Sequence, residues 1–92
     1  MNQEPRKPIK EFRAGTVKAA IWKQDNEAEG HIATTYSVRI QKRFLNRATG
    51  EWRDTDYFFV NDLPRLRLVA EQAFQFITLH ESEETQDEEG RG

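Results

Sequence analysis

Tyr36-Ser37-Val38-Arg39-Ile40-Gln41-Lys42-Arg43-Phe44 alternates apolar and polar residues, and the rest of the chain can be read outward from it. Tyr36, Val38, Ile40 and Phe44 share one side; Ser37, Arg39, Gln41 and Arg43 share the other. Successive side chains of a strand point to opposite faces, so this spacing predicts a half-buried strand, Ile32–Leu45. Lys42 falls among the apolar positions, so either the strand ends near it or a bulge switches the faces there. Asn46-Arg47-Ala48-Thr49-Gly50 reads as a turn. Trp52–Val60 reads as the next strand, with Trp52, Phe58 and Val60 on one side and Arg53, Thr55, Tyr57 and Phe59 on the other. From Ile32 to Arg53 there are five basic residues (Arg39, Lys42, Arg43, Arg47, Arg53) and one acid, Glu51. A basic hairpin that carries aromatic rings points to binding rather than to catalysis.

Upstream, Phe12–Lys23 is a further strand region, with Val17, Ala19 and Ile21 on one side and Thr16, Lys18, Ala20 and Trp22 on the other. Gly15 interrupts it, and a split there yields a fourth, short strand. Gln24–His31 is uniformly polar and reads as a loop. Met1–Lys10, with Pro5, Pro8, Arg6, Lys7 and Lys10, buries too little to repay its ordering entropy and is expected to be a flexible basic arm, residues 1–10.

Downstream, Asn61-Asp62-Leu63-Pro64 opens a helix. Asn61 or Asp62 can accept from first-turn N–H groups, and proline is tolerated where the N–H has no partner. The helix is expected to run to about His80. At 100° per residue, Leu63, Leu66, Val69, Ala70, Ala73, Phe74, Phe76 and Ile77 form a broad apolar stripe. Leu68 and Leu79 lie almost opposite it, flanked by Gln72 and Gln75. These four residues are the expected dimer seam, because a twofold contact would cover both leucines. The expected architecture is α+β: a curved antiparallel four-stranded β-sheet followed by one C-terminal α-helix, spanning residues 11–80. Residues 81–92 are acidic and glycine-terminated, and are expected to be a disordered tail.

The chain has 92 residues, room for one small core that a dimer interface would reinforce. Net charge is −2. Residues 81–92 hold six acids against Arg91, a local −5, while residues 1–80 hold 13 basic and 10 acidic side chains, a local +3. A modestly basic body therefore carries an acidic tail. The absence of cysteine excludes disulfides, thiolate metal sites and a cysteine nucleophile. No apolar run reads as a membrane span or a signal peptide, so a cytoplasmic protein is expected, in bacteria one that could associate with the nucleoid.

Catalytic signals are few. His31 and His80 have no ligand-spaced partners, so no metal or other cofactor is expected. Asp54 and Asp56 alternate onto one strand face, but an acid pair alone does not make a dyad. No glycine-rich phosphate loop or nucleophile motif occurs, and a non-enzyme is expected. Single-stranded nucleic acid is held by cations along its phosphates and by rings on which bases stack. Arg39, Gln41, Arg43 and Arg53 on a sheet face, Arg47 in the turn, and Lys18, Trp22, Phe44 and Tyr57 near the rim would supply both. The alternative from another class is a protein-interaction module whose arginines only keep the face soluble.

The run Val38–Phe44, the loop ending Gly50-Glu51-Trp52-Arg53, and Phe59-Val60-Asn61-Asp62-Leu63-Pro64 together resemble the single-stranded-DNA-binding transcriptional coactivators of the positive cofactor four type. The likeness covers roughly Tyr36–Ile77. It implies a curved four-stranded sheet backed by a helix, dimerised largely through that helix, with single-stranded DNA held on the sheets for transcriptional regulation. Phe44 falls where the family has a base-stacking aromatic residue, and Arg53 where it has a basic residue after the hairpin glycine. Gln41 stands where the family has arginine, and the loop holding Arg47 is one residue longer.

Overall fold

Three tight turns produce the sheet of the computed structural model, which describes residues 7–89. Gly15, at φ 63°, reverses the chain between β1 (Lys10–Ala14) and β2 (Val17–Ala28). Its missing side chain matters, since a Cβ there would lie 2.8 Å from Nε of Arg65, which packs over the turn. Glu29 (φ 54°) and Gly30 (φ 82°) link β2 to β3 (His31–Asn46). Two consecutive positive φ values are what a two-residue type I′ hairpin requires. Asn46 and Gly50 close the third turn, the Gly50 N–H donating to the Asn46 carbonyl at 2.7 Å, before β4 (Glu51–Thr55). The four strands form one open antiparallel sheet in the order β1-β2-β3-β4. A single 3-10 turn, Val60–Asp62, then leads into α1 (Leu63–Glu89).

Residues directly opposite each other in an antiparallel pair share a face, so the register sorts every side chain. Phe12 and Ala14 of β1, Val17, Ala19 and Ile21 of β2, and Tyr36, Val38, Ile40, Lys42 and Phe44 of β3 take the helix side. Val17, Ala19 and Ile21 are buried against Val69 and Ala73 of α1, with Phe12, Tyr36, Ile40, Phe58, Phe76 and Ile77 around them. Phe12 meets Phe76 edge-on at 6.1 Å, and Phe76 in turn carries the His80 ring at 4.1 Å. Few large side chains are fully buried, so each contributes a sizeable part of the total, about 1.5–3 kcal/mol. The helix lies chiefly over β1 and β2, leaving the β3–β4 half of the same side partly open.

Lys42 keeps its place on the helix side without a bulge, its register being continuous from Val17 on β2 to Thr55 on β4. Its ammonium donates to Oδ2 of Asp62 at 2.6 Å and lies 4.2 Å from the centre of the Phe59 ring. The same Asp62 oxygen accepts the Phe59 N–H at 2.8 Å. Asp62 thus ties the chain before the helix to the sheet, rather than capping first-turn donors as its position predicts. The Lys42 hydrogen bond, and then that N–H, hold the Asp62 carboxyl below the usual carboxylate range, against an opposing effect of burial.

Several sequence-based boundaries change. The strand expected over Trp52–Val60 ends at Thr55. Lys42 lies opposite Thr55 and also holds Asp62, so the chain must leave the sheet edge promptly to reach the helix start. Gln24–His31 is not a loop: β2 and β3 continue through it as a two-stranded ribbon, with Thr34 Oγ1 donating to Asp25 Oδ1 at 2.7 Å. The helix does not stop near His80 but continues to Glu89, so the acidic segment expected to lack structure extends the helix for nine residues. Glutamate and glutamine are good helix formers, which favours the extension. Residues 90–92 of the expected tail lie outside the described ones, as do residues 1–6 of the expected arm. Ile9 already bonds the sheet through its N–H to the Ile21 carbonyl at 2.7 Å, and Lys10 opens β1.

Candidate nucleic-acid interface

The face of the sheet turned away from the helix carries the other half of the register. Cross-strand rows there read Glu11–Ala20–Arg39, Arg13–Lys18–Gln41, Arg43–Asp54 and Leu45–Trp52, with Trp22 opposite Ser37. All four strands contribute, and period-two alternation is what brings the polar positions together. Ala20 is buried among these longer neighbours although it faces away from the core.

At the end of this face near the β1–β2 turn lies a cleft of about 250 Å³, lined by Arg13, Thr16, Lys18, Gln41, Arg43, Trp52, Arg53 and Asp54. The Arg43 guanidinium sits 4.9 Å from the centre of the Trp52 ring, a cation–π contact. Trp52 is 54% exposed, so the indole keeps free surface beyond that contact. Gln41 Nε2 makes a long 3.5 Å hydrogen bond to Oδ1 of Asp56. Arg13 pairs with Glu11 at 3.3 Å. Among the described residues, Lys18, Arg39, Arg43 and Asp54 form no ion pair.

Five of the residues singled out from the sequence therefore share the open face: Lys18, Trp22, Arg39, Gln41 and Arg43. Four do not. Phe44 and Arg53 are cross-strand partners on the helix side. Arg53 pairs with Glu51 at 3.3 Å and reaches only the rim of the cleft, at the edge strand. Phe44, 37% exposed, lines a separate apolar cleft of about 210 Å³ with Lys42, Thr55, Tyr57 and Phe59. Tyr57, 83% exposed, belongs to that second cleft, and Arg47 is exposed in the β3–β4 turn. Of the expected face, Arg39, Gln41 and Arg43 are thus brought together without Arg53, and Phe44 and Tyr57 line the helix-side cleft rather than its rim.

Sequence reasoning passed over Trp52, Arg13 and Asp54 as members of this face. The signal was present in the turns. Closing the Asn46–Gly50 turn with Asn46 opposite Glu51 puts Trp52 opposite Leu45 and Asp54 opposite Arg43. Turning at Gly15 and Thr16 likewise puts Arg13 opposite Lys18. The face is less basic than the hairpin alone implies, since Glu11, Asp54 and Asp56 accompany its four cations.

On the helix, Leu68 and Leu79 are 48% and 62% exposed. They border different depressions: Leu68 with Pro64, Arg67 and Glu71, and Leu79 with Lys10, Phe12, Gln72, Gln75 and Phe76. Phe74, placed by periodicity in the core-facing stripe, is 68% exposed, and Leu63 is exposed too. Among the described residues there is no group of three or more potential metal ligands, and no helix is long and apolar enough to cross a membrane. A scan against protein-family models, a search of curated proteins and a search of solved structures each found no match to this chain.

Proposed function

We propose that this protein binds single-stranded DNA through the open face of its sheet, as a non-enzymatic, coactivator-like regulator of the kind its sequence resembles. The observation that carries the reading is the cleft at β1–β4. It combines an exposed indole, a guanidinium stacked on it, and two further cations, Arg13 and Lys18, within one depression. Cations along the backbone and a ring for the bases are the two requirements of single-strand binding, and duplex DNA offers no unpaired base to the ring. The reading includes a homodimer, in which the exposed Leu68 and Leu79, with Gln72 and Gln75, meet a symmetry-related helix and enlarge a small core. Fluorescence anisotropy with labelled single-stranded DNA, duplex DNA and RNA at two salt concentrations tests the ligand. Tighter binding to the single strand supports it, whereas equal or undetectable binding to all three at low salt removes it. Light scattering tests the dimer, which a monomer at high micromolar concentration would exclude.

One observation favours a second reading, a protein-interaction module. Tyr57 and Phe59 are largely exposed and line, with Phe44, an apolar cleft apart from the open face, and clustered apolar surface is typical of protein contacts. A folded protein that binds none of the three nucleic acids would leave that reading standing.

A further inference from the structure

We infer that the cleft on the open face is a guanine-selective subsite, with Trp52 as the stacking platform and Asp54 as the residue that reads the base. The inference rests on the single-strand reading above and adds a base preference to it. Its starting point is an anomaly of charge. Asp54 stands in register beside Arg43, within a cleft otherwise supplied with Arg13, Lys18 and Arg53, and it forms no ion pair among the described residues. A surface that only gripped phosphate would gain by having no carboxylate there, because like charges repel the backbone it is meant to hold.

A carboxylate can nevertheless serve as a base reader. It is an acceptor only, with two adjacent oxygens. Trp52 and Asp54 are two residues apart on β4 and share the open face, which sets their Cα atoms about 7 Å apart. A base lying on the indole can therefore turn its edge toward the carboxylate. The Arg43 guanidinium lies 4.9 Å from the indole centre, and the indole, more than half exposed, keeps surface beyond that contact on which a base can lie beside Asp54.

An acceptor pair discriminates among the four bases. Guanine alone presents two adjacent donors, N1–H and the N2 amino group, which match the two carboxylate oxygens. Adenine and cytosine each offer one exocyclic amino group beside a ring acceptor. Thymine offers a single N3–H between two carbonyl oxygens, both of which would face the carboxylate unfavourably. Arg13 on β1 and Lys18 on β2, which line the same cleft, remain available for the flanking phosphates.

The test uses the full-length protein and thymine-rich single strands carrying three dispersed guanines, adenines, cytosines or inosines at the same positions. Inosine keeps N1–H but lacks the N2 amino group. The expected order is guanine first, by roughly tenfold over adenine or cytosine, with inosine between them. Asp54→Asn, an exposed position whose melting temperature should match the parent's, is expected to erase the preference while still binding all four strands. Equal affinity of the parent for all four strands overturns the inference and leaves single-strand binding intact. Retention of the guanine preference by Asp54→Asn overturns Asp54 as its source. Failure of the parent to bind any strand overturns the underlying reading itself.

Discussion

Replacing Trp52 and Phe44 by alanine, one at a time, separates the open face from the helix-side cleft, because the two rings lie on opposite faces of the sheet. Trp52 is 54% exposed, so truncation gives up about 100 Å² of buried surface, or about 2.5 kcal/mol as an upper figure. Phe44 is 37% exposed, and the same reasoning gives about 125 Å² and about 3 kcal/mol. Phe44→Ala should therefore destabilise the fold at least as much. Binding should order the other way. A base stacked on an aromatic ring is worth roughly 1–3 kcal/mol, so Trp52→Ala should lose about 5- to 150-fold in affinity for single-stranded DNA. Phe44 faces away from the proposed ligand, so Phe44→Ala should bind as the parent does. The assay is an anisotropy titration well below each variant's melting temperature, with melting followed by circular dichroism on the same samples. A Trp52→Ala protein that binds like the parent, beside a Phe44→Ala protein that melts normally but binds weakly, would refute the placement of the site.

Four open-face cations, Arg13, Lys18, Arg39 and Arg43, predict a slope of about −2.8 in log K against log salt, and Arg43→Ala should reduce it to about −2.1; an unchanged slope would remove Arg43 from the phosphate path. Ile21→Ala, at the centre of a core with few fully buried side chains, should cost about 2–5 kcal/mol and lower the melting temperature by about 10 to 30 °C. The folded-state pKa of Asp62 lies below its ordinary value of 3.8, so the stability it contributes is complete above that value and is lost as pH falls through and below it. Asp62→Asn should therefore flatten the acid limb of melting temperature against pH, and an acid limb identical to the parent's would show that Lys42 and Asp62 do not couple in solution.

Sheet and helix were readable because their alternation and periodicity reflect burial. Val38 and Ile40 alternate with Arg39 and Gln41, and Val69 and Ala73 recur on the core side of α1. Residues outside the reach of the core carried no such pattern. Gln24–Glu27 form a ribbon through backbone pairing and a two-residue turn, neither of which requires an apolar residue. Lys42 interrupted the alternation because its charge is met by Asp62, twenty residues away in sequence. Phe74 read as core because hydropathy alone cannot tell which apolar residues of a broad helical stripe the sheet will cover, and Phe74 stays exposed. The site was half readable. Lys18, Trp22, Arg39, Gln41 and Arg43 follow from alternation along β2 and β3, which also puts Phe44 on the apolar side, whereas Arg53 and Trp52 depend on the register across the Asn46–Gly50 turn. One residue of register exchanges the two faces of a strand.

Competition between a single strand and its own duplex separates binding that needs an unpaired base from binding to phosphate alone. A labelled single strand is bound by the protein, then challenged with unlabelled strand, its duplex, or the RNA of the same sequence at matched salt. The unlabelled DNA strand should displace the label at a concentration at least tenfold below that required of the duplex. Displacement by the duplex at equal concentration would contradict it, because a face that grips phosphates alone has no use for the exposed indole of Trp52.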